Sequence, residues 1–421
     1  MELSEAPVTE QVKHGFKKTE VGEIPLDWSD PRLIDIVRDD SPICYGLVQV
    51  GAHVSDGVPV LAIKDLNGDY VSGVHRSAPA IERVYIRSRV RSGDVLISVK
   101  GTTGRVGTVP QSFIGNISRD LARLRLKEEV ASTYCAQMLQ SALAQKRIAT
   151  VVVGTTRQEL SIAALRDIRI PLPPSKDEQD TIATALSDVD GLLAGLDALI
   201  AKKKAIKQGA MQQLLTGKQR LPGFKGEWVV ASIEEVAKRI TGFWGSGEEN
   251  ADTPKRARII RAGDVSADGK LTATAERFLS DAAFLTAKCD RGDVVITVSG
   301  NGLGKVWLCD GRPDVCVSNF VRALKPRKQL AGAYLYYQLC SSRAQQLLVE
   351  YTATSAYPNL RPNFFGVSWL PLPTLEEQTA IAEVLSDMDA ELGALEARRV
   401  KTALLKQGMM QELLTGRTRL V

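Results

Sequence analysis

One stretch of about 50 residues is written twice in this chain. From Pro171 it reads PLPPSKDEQDTIATALSDVDGLLAGLDALIAKKKAIKQGAMQQLLTGKQRL, and from Pro371 it reads PLPTLEEQTAIAEVLSDMDAELGALEARRVKTALLKQGMMQELLTGRTRL. Pro-Leu-Pro, Glu-Gln, Leu-Ser-Asp, Lys-Gln-Gly and Leu-Leu-Thr-Gly recur in that order, with one extra residue in the first copy. Such a repeat constrains the fold before any other pattern does, because it fixes the number of structural units. Weaker matches carry the duplication backward: 93–99 with 292–298, Trp28 with Trp228, Tyr134 with Tyr334, Leu160 with Leu360. The 421 residues therefore divide into two units of about 200. In each, a variable part (1–170, 222–370) precedes a near-identical segment (171–221, 371–421).

The repeated segment reads as a long helix. Ser175 with Glu178, and Thr374 with Glu377, have the S/T-x-x-E spacing of a capping box just after a proline-rich stop. Gly217 and Gly416 close each copy in the manner of a left-handed helix end. About 41 residues at about 1.5 Å each predict a rod of about 60 Å. Its apolar positions step 4-3-4-3: Ile182, Leu186, Val189, Leu193, Leu196 and Ile200, then Ile381, Leu385, Met388, Leu392 and Leu395, with Arg399 breaking the last step. This is the seam of a coiled coil. Two matched rods in one chain favour pairing with each other. Antiparallel pairing would relate the units by a pseudo-twofold axis and bring the chain termini together. The run Lys202-Lys203-Lys204 reads as a solvated face, since its counterpart lies in a net acidic helix.

Composition narrows the function classes. Hydrophobic residues are 44% and charged residues 24%, as in an ordinary globular protein. No apolar run approaches the roughly 18 residues of a membrane span, and the polar, acidic N-terminus is no secretory signal; a cytoplasmic location is expected. The net charge of +5 permits nucleic-acid binding without indicating it. Six cysteines form no C-x-x-C pair, so free, mostly buried thiols are expected and no zinc site. The three histidines, His14, His53 and His75, have no counterparts in the second half, which leaves triad or histidine–metal catalysis thinly supported.

Other chemistry is equally thin. The glycines of 242–247 resemble a methyl-donor-binding loop, but the loop-like 248–254 follow where a helix is required, and no Asn-Pro-Pro-aromatic or Asp-Pro-Pro-Tyr motif is present. Gly304-Lys305 is followed by Val306, so no nucleotide-binding P-loop forms. Asp268-Gly269-Lys270 has no upstream Pro-Asp at nuclease spacing. A binding protein without metal or cofactor of its own is the expectation.

The variable parts show short β-rich runs between Gly, Asp and Asn turns (59–64, 94–99, 258–261, 293–298). A helical stretch follows in each (132–146, 330–349), giving an α+β fold. Three loops differ between the units while their flanks match. One is glycine-rich: Lys100, Thr102, Thr103 and Arg105 in the first unit, Ser299, Asn301 and Lys305 in the second. One precedes Pro-Leu-Pro, with Thr156 and Arg157 against Tyr357 and Asn359. One lies early, with Tyr45 and Gln49 against Phe243 and Trp244. Glycines allow close backbone approach, and these side chains suit phosphates and base edges; a plain hairpin turn is the competing reading. Basic clusters at Arg83, Arg87, Arg89 and Arg91 and at Lys255, Arg256, Arg258 and Arg261 add to the case.

These elements in order, with 22–25 before Trp28, resemble the specificity subunit of a type I restriction–modification system, over nearly the whole chain. The resemblance implies two target-recognition domains, each followed by a conserved long helix, the helices forming an antiparallel coiled coil. It implies a non-catalytic reader of a split site in double-stranded DNA. Its partners would be two modification subunits carrying S-adenosylmethionine and, through them, ATP-dependent restriction subunits. Segments Lys207-Gln208-Gly209 and Lys406-Gln407-Gly408 then become candidates for partner packing, with glycine serving close helix approach. A stand-alone methyltransferase or nuclease, and an architectural DNA-binding scaffold, are the alternatives.

Overall fold

The computed structural model describes residues 13–420 apart from 69, 112, 155–157, 245–254, 273–275, 280 and 354–356. The chain divides into two compact units, one made of Met1–Asp197 with Arg398–Val421 and the other of Ala198–Ala397. The division falls inside the two long helices, Lys176–Leu214 and Leu375–Leu413, each of 39 residues.

Each unit contains the same α+β arrangement. In the first, a four-stranded antiparallel sheet runs in the order Cys44–Tyr45, Leu121–Leu124, Val95–Ser98, Val106–Thr108. In the second, the order is Ala237–Thr241, Val321–Pro326, Val294–Thr297, Val306–Leu308. A three-stranded sheet accompanies each: His75–Ser77, Val58–Leu61, Asn116–Ile117, and Glu276–Leu279, Lys255–Ile260, Val315–Val317. The Gly-Asp-Val strands are central and buried at every position, as a continuous apolar run predicts. Their aspartates are structural. Asp94 accepts from the Arg91 amide and pairs with Arg125 at 2.7 Å, while Asp293 accepts from the Asp290 amide and meets Lys325 at 3.2 Å.

The helical stretch after each sheet is two helices, not one: Ser132–Gln140 then Ala142–Val151, and Gly332–Cys340 then Ser342–Glu350. Ser141 and Ser341 break them. Both adopt extended ψ near 152°, ending one helix, and their hydroxyls accept from Ala144 and Ala344 to cap the next. A serine inside an apolar period carries no mark that separates a cap from a mid-helix position.

The long helices pair antiparallel within each unit. In the first, Arg399 meets Asp197 at 2.9 Å, Lys406 meets Asp190 at 2.7 Å and Arg419 meets Glu178 at 2.5 Å, so one number falls as the other rises. In the second, Lys207–Asp389 and Arg220–Glu377 occupy the equivalent positions, both at 2.5 Å. Arg399, which interrupts the apolar seam, thus makes an ion pair there. Lys203 and Lys204 reach Glu391 and Glu396 at 2.6 and 2.8 Å, so two of the three lysines read as a solvated face are paired with the opposing helix. Of the seam, Ile182, Leu186, Leu196, Ile200, Ile381, Leu385 and Leu392 are buried, while Val189, Leu193, Met388 and Leu395 are half-buried. Asp27 and Arg419 touch at 3.1 Å, which brings the two ends of the described chain together in the first unit.

The repeated motifs account for these junctions. Ser175 and Thr374 cap their helices by accepting from the amides of Glu178 and Glu377. The glutamates do not complete the predicted capping box; each turns its carboxylate to an arginine from the end of the other repeat. Beside them, Gln179 accepts from the Ala131 amide and donates to the carbonyls of Glu129 and Pro173. Gln378 repeats this with Ala331, Gln329 and Pro373. Tyr134 and Tyr334 donate to the carbonyls of Pro171 and Pro371 at 2.9 and 2.8 Å. Gly416 has φ +68°, and an added Cβ would lie 2.4 Å from the Pro25 ring, so glycine is required there for both conformation and space.

Gln378 has no solvent exposure. Replacing it by alanine removes the partner of the half-buried Ala331 amide and of the Gln329 and Pro373 carbonyls, the last of them buried, at a cost on the order of 2 kcal/mol. Gln378→Ala and Gln179→Ala are expected to lower the urea midpoint by similar amounts. A shift in only one of them would contradict their equivalence.

Candidate nucleic-acid interface

Backbone hydrogen bonds gather the three variable loops of each unit along one edge. In the first unit, Lys100 bridges Glu159 and the Gly101 amide donates to Gln158 at 3.0 Å, joining the glycine loop to the loop before Pro-Leu-Pro. The early loop bridges Ser118 through Leu47; the Arg119 amide donates to Leu47 and the Val99 amide to Asp120, both at 2.8 Å. The second unit repeats the pattern. Ser299 bridges Asn359, Phe243 bridges Ser318, the Asn319 amide donates to Phe243 at 2.9 Å and the Val298 amide to Phe320 at 3.0 Å. Gly101 and Gly104 have φ +74° and +84°, Gly300 and Gly304 +82° and +83°. The carbonyls of Gly104 and Gly304 accept from Gln145 and Gln345, fastening each loop to the helix behind it.

The candidate side chains divide by surroundings. Tyr45, Gln49, Thr102, Arg105, Trp244, Asn301, Tyr357 and Asn359 are exposed; Thr103 and Phe243 are half-buried; Ser299 is buried. Lys100 pairs with Glu159 at 3.1 Å. Lys305 lines a cavity of about 420 Å³ beside the long helix, with Lys207, Asp268, Tyr336 and Cys340. Thr156 and Arg157 lie outside the described residues. In the basic clusters, Arg89 is structural: its guanidinium grips buried Glu82 at 2.7 Å and holds that carboxyl below its ordinary range. Arg83 and Arg87 are exposed. Lys255 and Arg256 begin a strand, and their side chains lie outside what is described. The cysteines are free and at least half-buried, and burial pushes the Cys135 and Cys340 thiols up to about 12. Among the described residues no cluster suits a metal ion, and no helix is long and apolar enough to cross a membrane.

Known proteins decide what this doubled edge belongs to. The family described as the type I restriction modification DNA specificity domain matches residues 55–207 and again 225–405. The chain belongs to that family. It is 28% identical to the type I restriction enzyme EcoBI specificity subunit of Escherichia coli over 52% of this chain and 46% of that one. Against the MjaVIII specificity subunit of Methanocaldococcus jannaschii, identity is 23% over 97% of this chain and 96% of that one. The match thus spans under half of the first relative and nearly all of the second. The crystal structure of a type I restriction-modification S subunit from M. genitalium shares the fold, with a TM-score of 0.60 and 15% identity over 92% of this chain and 96% of that one.

In this specificity-family chain, the helix candidates separate into two kinds. Lys207 and Lys406 are committed to Asp389 and Asp190. Gln208, Gly209, Gln407 and Gly408 are exposed. Close helix approach within the chain does not explain the glycines, because a Cβ added to either would meet nothing within 4 Å. The edge also contains a turn absent from the candidates, Ser118-Arg119-Asp120 and Ser318-Asn319-Phe320. Its signal is the one that marked the other loops: a shared serine and shared following strand around unlike residues.

Arg105 is exposed beside the glycine loop, where phosphate contact needs only charge. Arg105→Ala is expected to weaken binding to all duplexes alike and to reduce the slope of log affinity against log salt by about 0.9. Asn301→Ala is expected to relax preference at one base pair by about 1–3 kcal/mol, since the amide matches adenine's N6 and N7. Binding measured on single-base variants of the duplex at two salt concentrations separates the two. Uniform loss from Asn301→Ala would make its loop a backbone clamp.

Proposed function

We propose that this specificity subunit reads a bipartite site in double-stranded DNA, with residues 1–170 and 222–370 as target-recognition domains taking one half-site each. Residues 171–221 and 371–421 are the helical spacers. The observation carrying this reading is that one backbone frame, built twice, presents unlike residues at the same loop positions. Matched frames supply matched approach to DNA, and unlike loops supply different base contacts.

The chain itself contributes recognition rather than catalysis, and methyl transfer belongs to two modification subunits carrying S-adenosylmethionine. Gln208-Gly209 and Gln407-Gly408 are their docking positions. A glycine inside a helix costs about 1 kcal/mol, and an exposed one at the same place in both repeats suits close approach by another protein. Exposed Leu192, Ile206, Leu404 and Leu405 on the same helices support such docking. Restriction subunits using ATP join through the modification subunits, and the complex works in the cytoplasm, where its DNA lies.

Replacing residues 1–170 by the corresponding part of another family member is expected to preserve assembly with the modification subunits and to change one half of the methylated site. A chimera that altered both halves, or still methylated the original site, would overturn the one-domain, one-half-site reading.

A further inference from the structure

Among the described residues, the aromatic side chains exposed over half or more of their surface are Tyr45 at 51%, Trp244 at 78%, Phe320 at 50% and Tyr357 at 76%. All four stand on the variable edges, three of them in the second unit. Single exposed apolar residues are ordinary on a protein surface; confinement of the large aromatic ones to these edges is not. The backbone ties the three together. Trp244 follows Phe243, whose carbonyl accepts from Asn319 beside Phe320. The Phe320 carbonyl accepts from Val298, and two residues on Gly300 donates to Pro358, next to Tyr357.

The first unit carries other chemistry on the same frame. The equivalent bridges Leu47–Ser118 and Phe243–Ser318 set Val48 in the place of Trp244. Asp120 stands where Phe320 does, and Arg157 aligns in sequence with Tyr357. Lys100, Glu159, Arg105 and Arg119 complete an edge of charged groups.

We propose that the second unit reads its half-site through an aromatic rim, Trp244, Phe320 and Tyr357, which stacks on and wedges against a base step that unstacks readily, while the first unit reads through charged and hydrogen-bonding groups. This rests on the DNA-reading function proposed above. Aromatic–base stacking is worth about 5- to 150-fold in affinity per base. Wedged side chains select deformable steps such as pyrimidine–purine. Uncharged rings displace no counterions, so they add discrimination without salt dependence.

The test uses the chain assembled with its modification subunits, on duplexes carrying its methylated site, single-base variants of that site, and 2-aminopurine beside each candidate step. Wild type is expected to raise 2-aminopurine fluorescence at one step of one half-site. Phe320→Ala and Trp244→Ala are expected to abolish that rise and to cut preference by about tenfold or more at one or two adjacent base pairs. The salt slope and the other half-site stay unchanged, and Phe320→Trp retains preference and fluorescence. Alanine variants with wild-type preference, or a uniform loss accompanied by a smaller salt slope, would overturn the proposal. A wild-type complex with no base preference in either half would instead overturn the function on which it rests.

Discussion

The Glu-Gln pair at the start of each long helix is the interaction on which the rest depends. Glu178 and Glu377 are 4% and 0% exposed, and Gln179 and Gln378 are 1% and 0% exposed. The glutamine binds backward, to the domain that precedes it in sequence. The glutamate binds an arginine ending the other repeat, Arg419 or Arg220, which lies near the ring of Trp28 or Trp228. A buried carboxylate is tolerated only when paired and hydrogen-bonded. In the second unit the Trp228 indole completes the set by donating to Glu377 at 3.1 Å. Each unit is therefore closed by residues from both repeats, and neither repeat alone contains a whole unit.

That closure leaves the loops free to vary. The central strands are buried at every position, and the glycine loops are fastened from behind by Gln145 and Gln345. Most of the loop side chains outside this frame are exposed, so substitution there changes recognition at little cost in stability.

The elements legible in the sequence are those where one physical requirement dominates. The two long helices follow from their period and caps, the central strands from continuous apolar runs, and the pairing of the helices from the presence of two matched rods, its antiparallel sense from the family resemblance. The rest turned on competition between partners that are distant in sequence. Glu178 and Glu377 have capping-box spacing, yet a half-buried arginine outcompetes an exposed backbone amide. Ser141 reads as helix interior, yet its hydroxyl serves as a cap. Lys305 reads as a phosphate ligand, and its place in a cavity beside the long helix has no signal in the sequence. Gly209 and Gly408 read as positions for partner packing, and among the described residues a Cβ added at either would meet nothing within 4 Å. Arg119 and Phe320 stand in a turn without glycine, so no local signal marks it as a loop.

The central claim is that one chain places two different readers on one repeated frame. Sequencing the methylated bases of cells with and without this gene tests it most directly. The account predicts a methylated motif in two parts, separated by unspecified bases and lost when the gene is deleted. A motif that persists without the gene, or a continuous one read as a single block, would contradict it.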